Sequence, residues 1–278
     1  MSVRRPLEDK LAALLANRES ASRLRRLTLS SPDSIDFSSN SYLSLSSVPE
    51  VRRAFLSLLE SYQDGSSALG SGGSRLLDGN TTLAESLETD LARFHRAPAG
   101  LLFNSGFDAN VGLFSCLPQP GDVIVYDELI HASTHDGMKL SRAGRKLAFR
   151  HNCVEKNNDE SGEPAGSSLE CLDRVLDKLV NGEQGDTGVA TGKTNVFVAV
   201  EGVYSMDGDV APLSEIVACV ERHLPHGNGC VIVDEAHSTG LFGAEGRGLV
   251  CELGLEDRVF ARLHTFGKAM GSSGGKTN

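Results

Sequence analysis

Lys268 is the residue whose setting most suggests chemistry. It stands in Leu263-His264-Thr265-Phe266-Gly267-Lys268-Ala269-Met270-Gly271-Ser272-Ser273-Gly274-Gly275, where its near neighbours Gly267, Ala269 and Gly271 are all small. A lysine without bulky neighbours can be drawn into a pocket. Burial there disfavours the ammonium and makes the amine a nucleophile toward an aldehyde. Thr265, Ser272 and Ser273 supply hydroxyls for an anion. The competing reading of this stretch is a Gly/Ser loop with a solvated lysine.

Four other stretches carry reactive types after apolar runs. Ser105-Gly106-Phe107 follows Leu101-Leu102-Phe103 and opens a helix, so its N–H groups suit a phosphate. His131 starts the next helix, where its ring can lie on a planar ligand; with His135 it also forms an i, i+4 pair of metal-binding type, but no further ligand signature accompanies it and no metal is expected. Glu201 opens Glu201-Gly202-Val203-Tyr204-Ser205-Met206-Asp207-Gly208-Asp209. Asp234 begins Asp234-Glu235-Ala236-His237 at the end of Val231-Ile232-Val233. A carboxylate at a buried strand end needs a cation, and a protonated pyridine nitrogen is one.

The elements that position these groups alternate. Strands are predicted at 101–103, 122–126, 146–150, 196–200, 231–233 and 259–263, with helices at 108–117, 130–142, 169–179 and 213–223 between them. Near-continuous Val/Ile runs separated by helices predict an α/β fold with a mainly parallel sheet covered on both faces. Such sheets bind ligands beyond the carboxyl ends of their strands. Ahead of them, 6–27 and 48–62 read as amphipathic helices, and 81–96 as a helix with Thr82 and Glu85 placed as a capping box. Residues 65–75 are too glycine-rich for an element interior and read as a structured loop, because Arg75-Leu76-Leu77-Asp78-Gly79-Asn80 follows directly. Residues 156–167 and 181–195 read as polar surface loops.

Composition bounds the function. The chain has 278 residues, 27 basic against 37 acidic, and a formal charge of −10, which speaks against nucleic acid as a partner. Six cysteines without a CxxC pair read as reduced core thiols of an intracellular protein. No stretch is long and apolar enough to span a membrane and no secretory signal opens the chain, so a cytoplasmic location is expected, with an organelle as the alternative.

The ordered motifs SNSYLSL, GSGGSRLLDGN, SGF, DELIHAS, EGVYSMDGD, VDEAHSTGLFG and HTFGKAMGSSGG, from about Ser38 to Gly275, resemble the α-oxoamine synthases. The Gly72-Gly73-Ser74-Arg75-Leu76 run is most similar to the 8-amino-7-oxononanoate synthase group of biotin biosynthesis. The resemblance implies a fold type I transferase large domain over residues 38–278, after an N-terminal helical arm at 1–37, and pyridoxal 5'-phosphate as cofactor. It implies condensation of an amino acid with an acyl-CoA or acyl-carrier thioester with loss of CO2, in a homodimer. Lys268 matches the cofactor-linked lysine, Asp234 the partner of the pyridine nitrogen, His131 the stacking histidine and His237 the histidine near the phenolic oxygen. Gly106 and Phe107 match the phosphate turn, Ser205 and Thr265 hydroxyls around the cofactor, and Asn40 and Glu201 substrate-facing polar groups. The pattern departs at Lys276-Thr277-Asn278, where an interior strand and a C-terminal small domain are expected to be missing, leaving a sheet edge and apolar surface uncovered. Two other readings remain: a non-catalytic cofactor-binding remnant or subunit, and another fold type I enzyme such as an aminotransferase or a serine palmitoyltransferase-like enzyme.

Overall fold

A computed structural model describes residues 5–29, 31, 33–62, 70–155, 168–182 and 185–278. The chain divides into two units, Met1–Ser39 and Asn40–Asn278. The first holds helix α1 (Pro6–Ser20). It is shorter than the apolar spacing predicts, because Ser22 takes a left-handed φ of 54° just past its end.

In the second unit α2 (Pro49–Ser61) and α3 (Thr82–Phe94) precede the sheet. The α3 cap is Thr81, whose hydroxyl accepts from the Ala84 N–H at 3.1 Å, one residue earlier than the capping box predicts. Glu85 is turned instead to the Asn80 side chain, which donates to it at 2.6 Å. Arg75 ion-pairs with Glu88, and Glu88 also accepts from the Leu102 N–H at 2.8 Å. The described part of the glycine-rich loop, residues 70–80, is therefore tied to α3 and to the first strand; residues 65–69 lie outside the described residues.

The alternation then runs β1 (Leu101–Phe103), α4 (Gly106–Cys116), β2 (Val123–Asp127), α5 (Ala132–Leu140), β3 (Arg145–Phe149), α6 (Leu172–Asn181), α7 (Thr187–Ala190), β4 (Val196–Glu201), α8 (Leu213–His223), β5 (Gly229–Asp234), α9 (Leu249–Glu252), β6 (Ala261–Thr265) and β7 (Gly275–Thr277). Of the two expected loops, 156–167 lies outside the described residues, whereas the stretch after Asn181 contains the short helix α7. Asp186 caps that helix by accepting from Gly188 N–H at 2.8 Å.

The strand order is β1-β7-β6-β5-β4-β2-β3, with β2 through β6 parallel and β7 antiparallel to both neighbours. The two-residue side-chain period divides each central strand between the faces. Val123, Val125, Val196, Val198, Val200, Val231 and Val233 pack with α6 and α8 residues such as Leu176 and Ile216. Ile124, Phe197, Ala199 and Ile232 pack on the other face with Ala109, Phe114 and Met138 of α4 and α5. Each fully buried Val, Leu or Ile contributes about 1.5–3 kcal/mol relative to exposure. Burial on both faces is why the runs read as continuously apolar.

Strand β7 corrects the expectation of an unfilled interior position. Backbone pairing needs no particular side chain, so the facing edges of β1 and β6 accept Gly275, Lys276 and Thr277 between them. The misfit is in the side chains. Lys276 is wholly buried, and its Nζ has no hydrogen-bond partner among the described residues. Burial and the nearby Arg262 charge push its pKa down to about 7.

The cysteines also differ from expectation. All six are free, but only Cys171 and Cys219 are buried and Cys116 is exposed, because it sits at the last turn of α4. No helix of the described residues is long and apolar enough to cross a membrane.

Candidate active site

Parallel pairing brings the strand ends into one line. Register places Glu201 opposite Asp234 and Asp234 opposite Leu263, so the carboxyl ends of β4, β5 and β6 deliver their next residues to one edge. Lys268 follows β6 by three residues, in a turn closed by Gly271 N–H donating to the Lys268 carbonyl at 2.9 Å. Gly271 has φ 59°, a left-handed conformation that glycine takes without strain, and a Cβ there would meet the Ser46 nitrogen at 2.8 Å.

Lys268 Nζ lies 2.7 Å from Nε2 of His237. The other ring nitrogen, Nδ1, is 2.7 Å from the Tyr42 hydroxyl, which in turn donates to Asn40 Oδ1 at 3.3 Å. With the ammonium donating to Nε2, the neutral ring carries its proton on Nδ1 and donates it to Tyr42. Burial, with the Lys268 and His131 charges adding to it, pushes the His237 pKa down to about 4. The lysine is lowered too: burial dominates, against the opposing pull of Asp234 and Glu201.

A second chain of contacts fixes the carboxylate. Asp234 is buried; its Oδ1 accepts from the Ala236 N–H at 2.9 Å and its Oδ2 from Asn110 Nδ2 at 2.7 Å. The same amide donates to Ser133 Oγ at 3.0 Å, and Ser133 Oγ lies 2.7 Å from His131 Nδ1. His131 is the N-cap of α5, its Nδ1 accepting from the Ser133 N–H at 3.2 Å. Asp234 and His131 are thus linked through two buried polar side chains from α4 and α5. His135 stands edge-on to Tyr126 at 5.4 Å between centroids.

Glu201 is buried beside this pair. Burial, with Asp234 repulsion behind it and Lys268 attraction against it, pushes its pKa up to about 8. The carboxyl is therefore largely protonated at neutral pH.

The α4 N-terminus closes the site. Ser105 Oγ caps it by accepting from Asp108 N–H at 3.0 Å. A Cβ on Gly106 would meet the Thr265 Cβ at 2.9 Å, so only glycine lets the helix start touch the end of β6. Phe107 stands edge-on to His131, 6.3 Å between centroids.

The structure accordingly brings together Lys268, His237 and Asn40 in one contact chain, Asp234 and His131 in another, and Gly106 with Thr265 at the helix start. Ser205 is not joined to them. It is exposed on the loop after β4, and among the described residues its side chain makes no hydrogen bond to the group. Three participants escaped the sequence reading. Tyr42 lay within a quoted motif, but its reach to His237 across 195 residues has no sequence signal. Asn110 and Ser133 read as ordinary helix residues, and only the approach of α4, α5 and β5 gives them a role.

The donor set fits pyridoxal phosphate: an amine, a buried carboxylate for a cationic ring nitrogen, an imidazole at a helix start, and first-turn N–H groups with a threonine hydroxyl for a phosphate. Outside it, Asp173, Cys219 and His223 converge, but the Arg222 guanidinium donates to Asp173 at 2.9 Å and so already occupies that carboxylate.

The family model for aminotransferase class I and II matches residues 32–277. An 8-amino-7-oxononanoate synthase from Emericella nidulans is 53% identical over 96% of this chain and 60% of its own length. A serine palmitoyltransferase structure from Sphingomonas wittichii superposes with a TM-score of 0.74 at 31% identity, over 98% of this chain and 63% of that one. A serine palmitoyltransferase solved with PLP matches at 30% identity and the same TM-score, over 98% and 64%. The chain spans less than two thirds of the length of each of these relatives. It belongs to the aminotransferase class I and II family.

Proposed function

We propose that this chain forms the cofactor-binding part of an enzyme that condenses an amino acid with an acyl thioester and releases CO2. The observation that carries the reading is the 2.7 Å contact of Lys268 with His237, set beside the buried Asp234–Asn110 pair. The 53% identity to an 8-amino-7-oxononanoate synthase favours alanine and a pimeloyl thioester as the substrates, and with them a biotin-pathway step. A homodimer is part of the same proposal, since the glycine-rich loop around Gly72 lies near the subunit interface in the family it resembles.

Pyridoxal phosphate, when bound, supplies an electron sink for negative charge at the substrate α-carbon. Asp234 would hold the ring nitrogen in its protonated form, and Asn110 keeps that carboxylate in one rotamer. His131 would cover one face of the ring, and the N–H groups of Gly106 and Phe107, with Thr265 Oγ1, would take the phosphate. Lys268 Nζ would move the proton at the substrate α-carbon, a task suited to an amine whose pKa is depressed. His237 orients that amine and would hydrogen-bond the phenolic oxygen. Glu201, held as a neutral acid, would donate a hydrogen bond to a substrate oxygen, and Asn40, which accepts from Tyr42, would be a second polar group for the substrate.

The test is a titration of the purified chain with pyridoxal phosphate, followed by borohydride and peptide mapping, beside Lys268→Ala. The expected result is a visible absorbance band and a reduced phosphopyridoxyl group on Lys268 alone, both lost in the variant. Labelling spread over several surface lysines would overturn the assignment of Lys268. Release of free CoA from pimeloyl-CoA with alanine, in preference to amino transfer to a keto acid, separates the condensation from an aminotransferase.

A further inference from the structure

Asp127 ends β2 as a wholly buried carboxylate that the proposed chemistry leaves unused. Its Oδ1 accepts from Leu129 N–H at 2.9 Å and lies 2.8 Å from Nδ1 of His151, while Oδ2 accepts from Asn152 N–H at 2.9 Å. The second ring nitrogen of His151, Nε2, is 2.5 Å from Asp209 Oδ2, in the loop that leaves β4 at Glu201. A neutral imidazole has one N–H and cannot donate to both carboxylates, so with Asp127 and Asp209 ionised the doubly protonated ring satisfies this geometry; the Asn152 amide nitrogen is also 3.2 Å from Nε2. Asn152 adds to the same tie. It holds a left-handed φ of 49°, and its amide donates to the same Asp209 oxygen at 2.7 Å.

The loop between Glu201 and Asp209 is drawn onto that ring. Tyr204 stands edge-on to His151, 4.5 Å between centroids, and its hydroxyl accepts from the Glu201 N–H at 3.2 Å. Tyr204 N–H donates to the Asp209 carbonyl at 3.0 Å, closing the loop at its base. The titratable groups facing His151 are Asp127 from β2, Glu128 just after it, and Asp209 and Tyr204 from the loop. The adjacent Arg150 guanidinium donates to the Cys153 sulfur at 2.9 Å.

We propose that His151, as an imidazolium held between Asp127 and Asp209, is a positioning residue that clasps the 202–210 loop to the end of β2 and thereby sets Glu201 at the active site. What the clasp serves rests on the function proposed above; the clasp itself does not. Burial works against the charged ring, but the bonds to Asp127 and Asp209 outweigh it and leave His151 above the ordinary histidine value. A group raised in the folded state contributes its full stabilisation below the unfolded pKa and loses it as pH rises through the folded one. The loop is therefore held at low pH and released as pH rises through the folded His151 pKa.

The test uses the full chain without cofactor. Ring nitrogens of 15N-histidine-labelled protein are followed by NMR, and hydrogen exchange of peptides covering 202–210 is measured across the same pH range, in wild type, Asp209→Asn and His151→Gln. The expected result is two protonated nitrogens on His151 below a transition that lies at higher pH than that of an ordinary histidine. Loop exchange, corrected for its intrinsic rate, should accelerate on the order of tenfold as the ring titrates, the loss of a charge-assisted hydrogen bond. Asp209→Asn should move both midpoints to lower pH, and His151→Gln should exchange fast with no such transition. A single ring proton throughout, or a His151→Gln loop that follows wild type at every pH, would overturn the proposal. A structural role alone would raise exchange in the variants without moving a midpoint. Failure of Lys268 to take up pyridoxal phosphate would leave these measurements readable, so the two ideas fail separately.

Discussion

His237 lies between Lys268 and Tyr42, with its Nε2 2.7 Å from the lysine amine and its Nδ1 2.7 Å from the tyrosine hydroxyl. The ring can accept from the amine only with its proton on Nδ1, and Tyr42, whose own proton goes to Asn40 Oδ1, accepts that N–H. Tyr42 itself occupies a left-handed φ of 44°, uncommon for an aromatic residue, so the backbone is strained where this contact is made.

Tyr42→Phe removes the acceptor of the Nδ1–H and leaves the ring in place. One hydrogen bond of about 1 kcal/mol corresponds to roughly a fivefold change. We expect pyridoxal phosphate to be retained on Lys268 while the rate of α-proton exchange on alanine falls about five- to tenfold. NMR of deuterium uptake into alanine checks this, and an unchanged rate would place Tyr42 outside the relay.

Asn110→Ala frees the Asp234 carboxylate and Ser133 together. Truncating one partner of a buried, charge-assisted bond costs about 1.5–3 kcal/mol. The expected outcome is a cofactor dissociation constant raised on the order of tenfold or more, read by absorbance titration, with the far-UV circular dichroism unchanged. Asp234→Asn should weaken binding at least as much, because no anion then faces the ring nitrogen.

Glu201 makes stability depend on pH. Its folded pKa of about 8 lies above the ordinary carboxyl value of 4.5, so the folded state binds more protons between those limits. Stability is then greatest at low pH and falls as pH rises from about 4.5 to about 8. Glu235 acts in the same direction, since burial pushes it up to about 7. In melting curves taken between pH 5 and 8, Glu201→Gln should flatten the decline without abolishing it.

Lys276 has the opposite sign. Its folded pKa of about 7 lies below the ordinary 10.5, so the unfolded chain binds more protons between those values and stability rises with pH across them. Lys276→Met keeps the volume and removes the buried amine, which has no hydrogen-bond partner among the described residues. A gain on the order of 1–3 kcal/mol at pH 7 is expected, shrinking toward pH 10. Equal melting temperatures at pH 7 would show that the amine is solvated after all.

Much of this protein could be read in advance. Continuous apolar runs such as Val196–Val200 specify strands buried on both faces, because period and composition act locally. The helix Leu213–His223 begins and ends where its apolar spacing does. Lys268, Asp234 and His131 could be picked out because each follows an apolar strand, and parallel topology sends strand ends to one edge. Three features depended on the folded chain. Tyr42, Asn110 and Ser133 join the site through contacts of long sequence separation, which no spacing rule encodes. The strand between β1 and β6, Gly275–Thr277, forms because two open backbone edges face each other, although its central side chain is a lysine. The Asp127–His151–Asp209 bridge charges its imidazole because β2, β3 and the loop after β4 converge. Local sequence thus determined which segments are strands and helices and which residues carry reactive groups; tertiary packing decided the tautomers, the protonation states and the partners, since those follow from distance and desolvation.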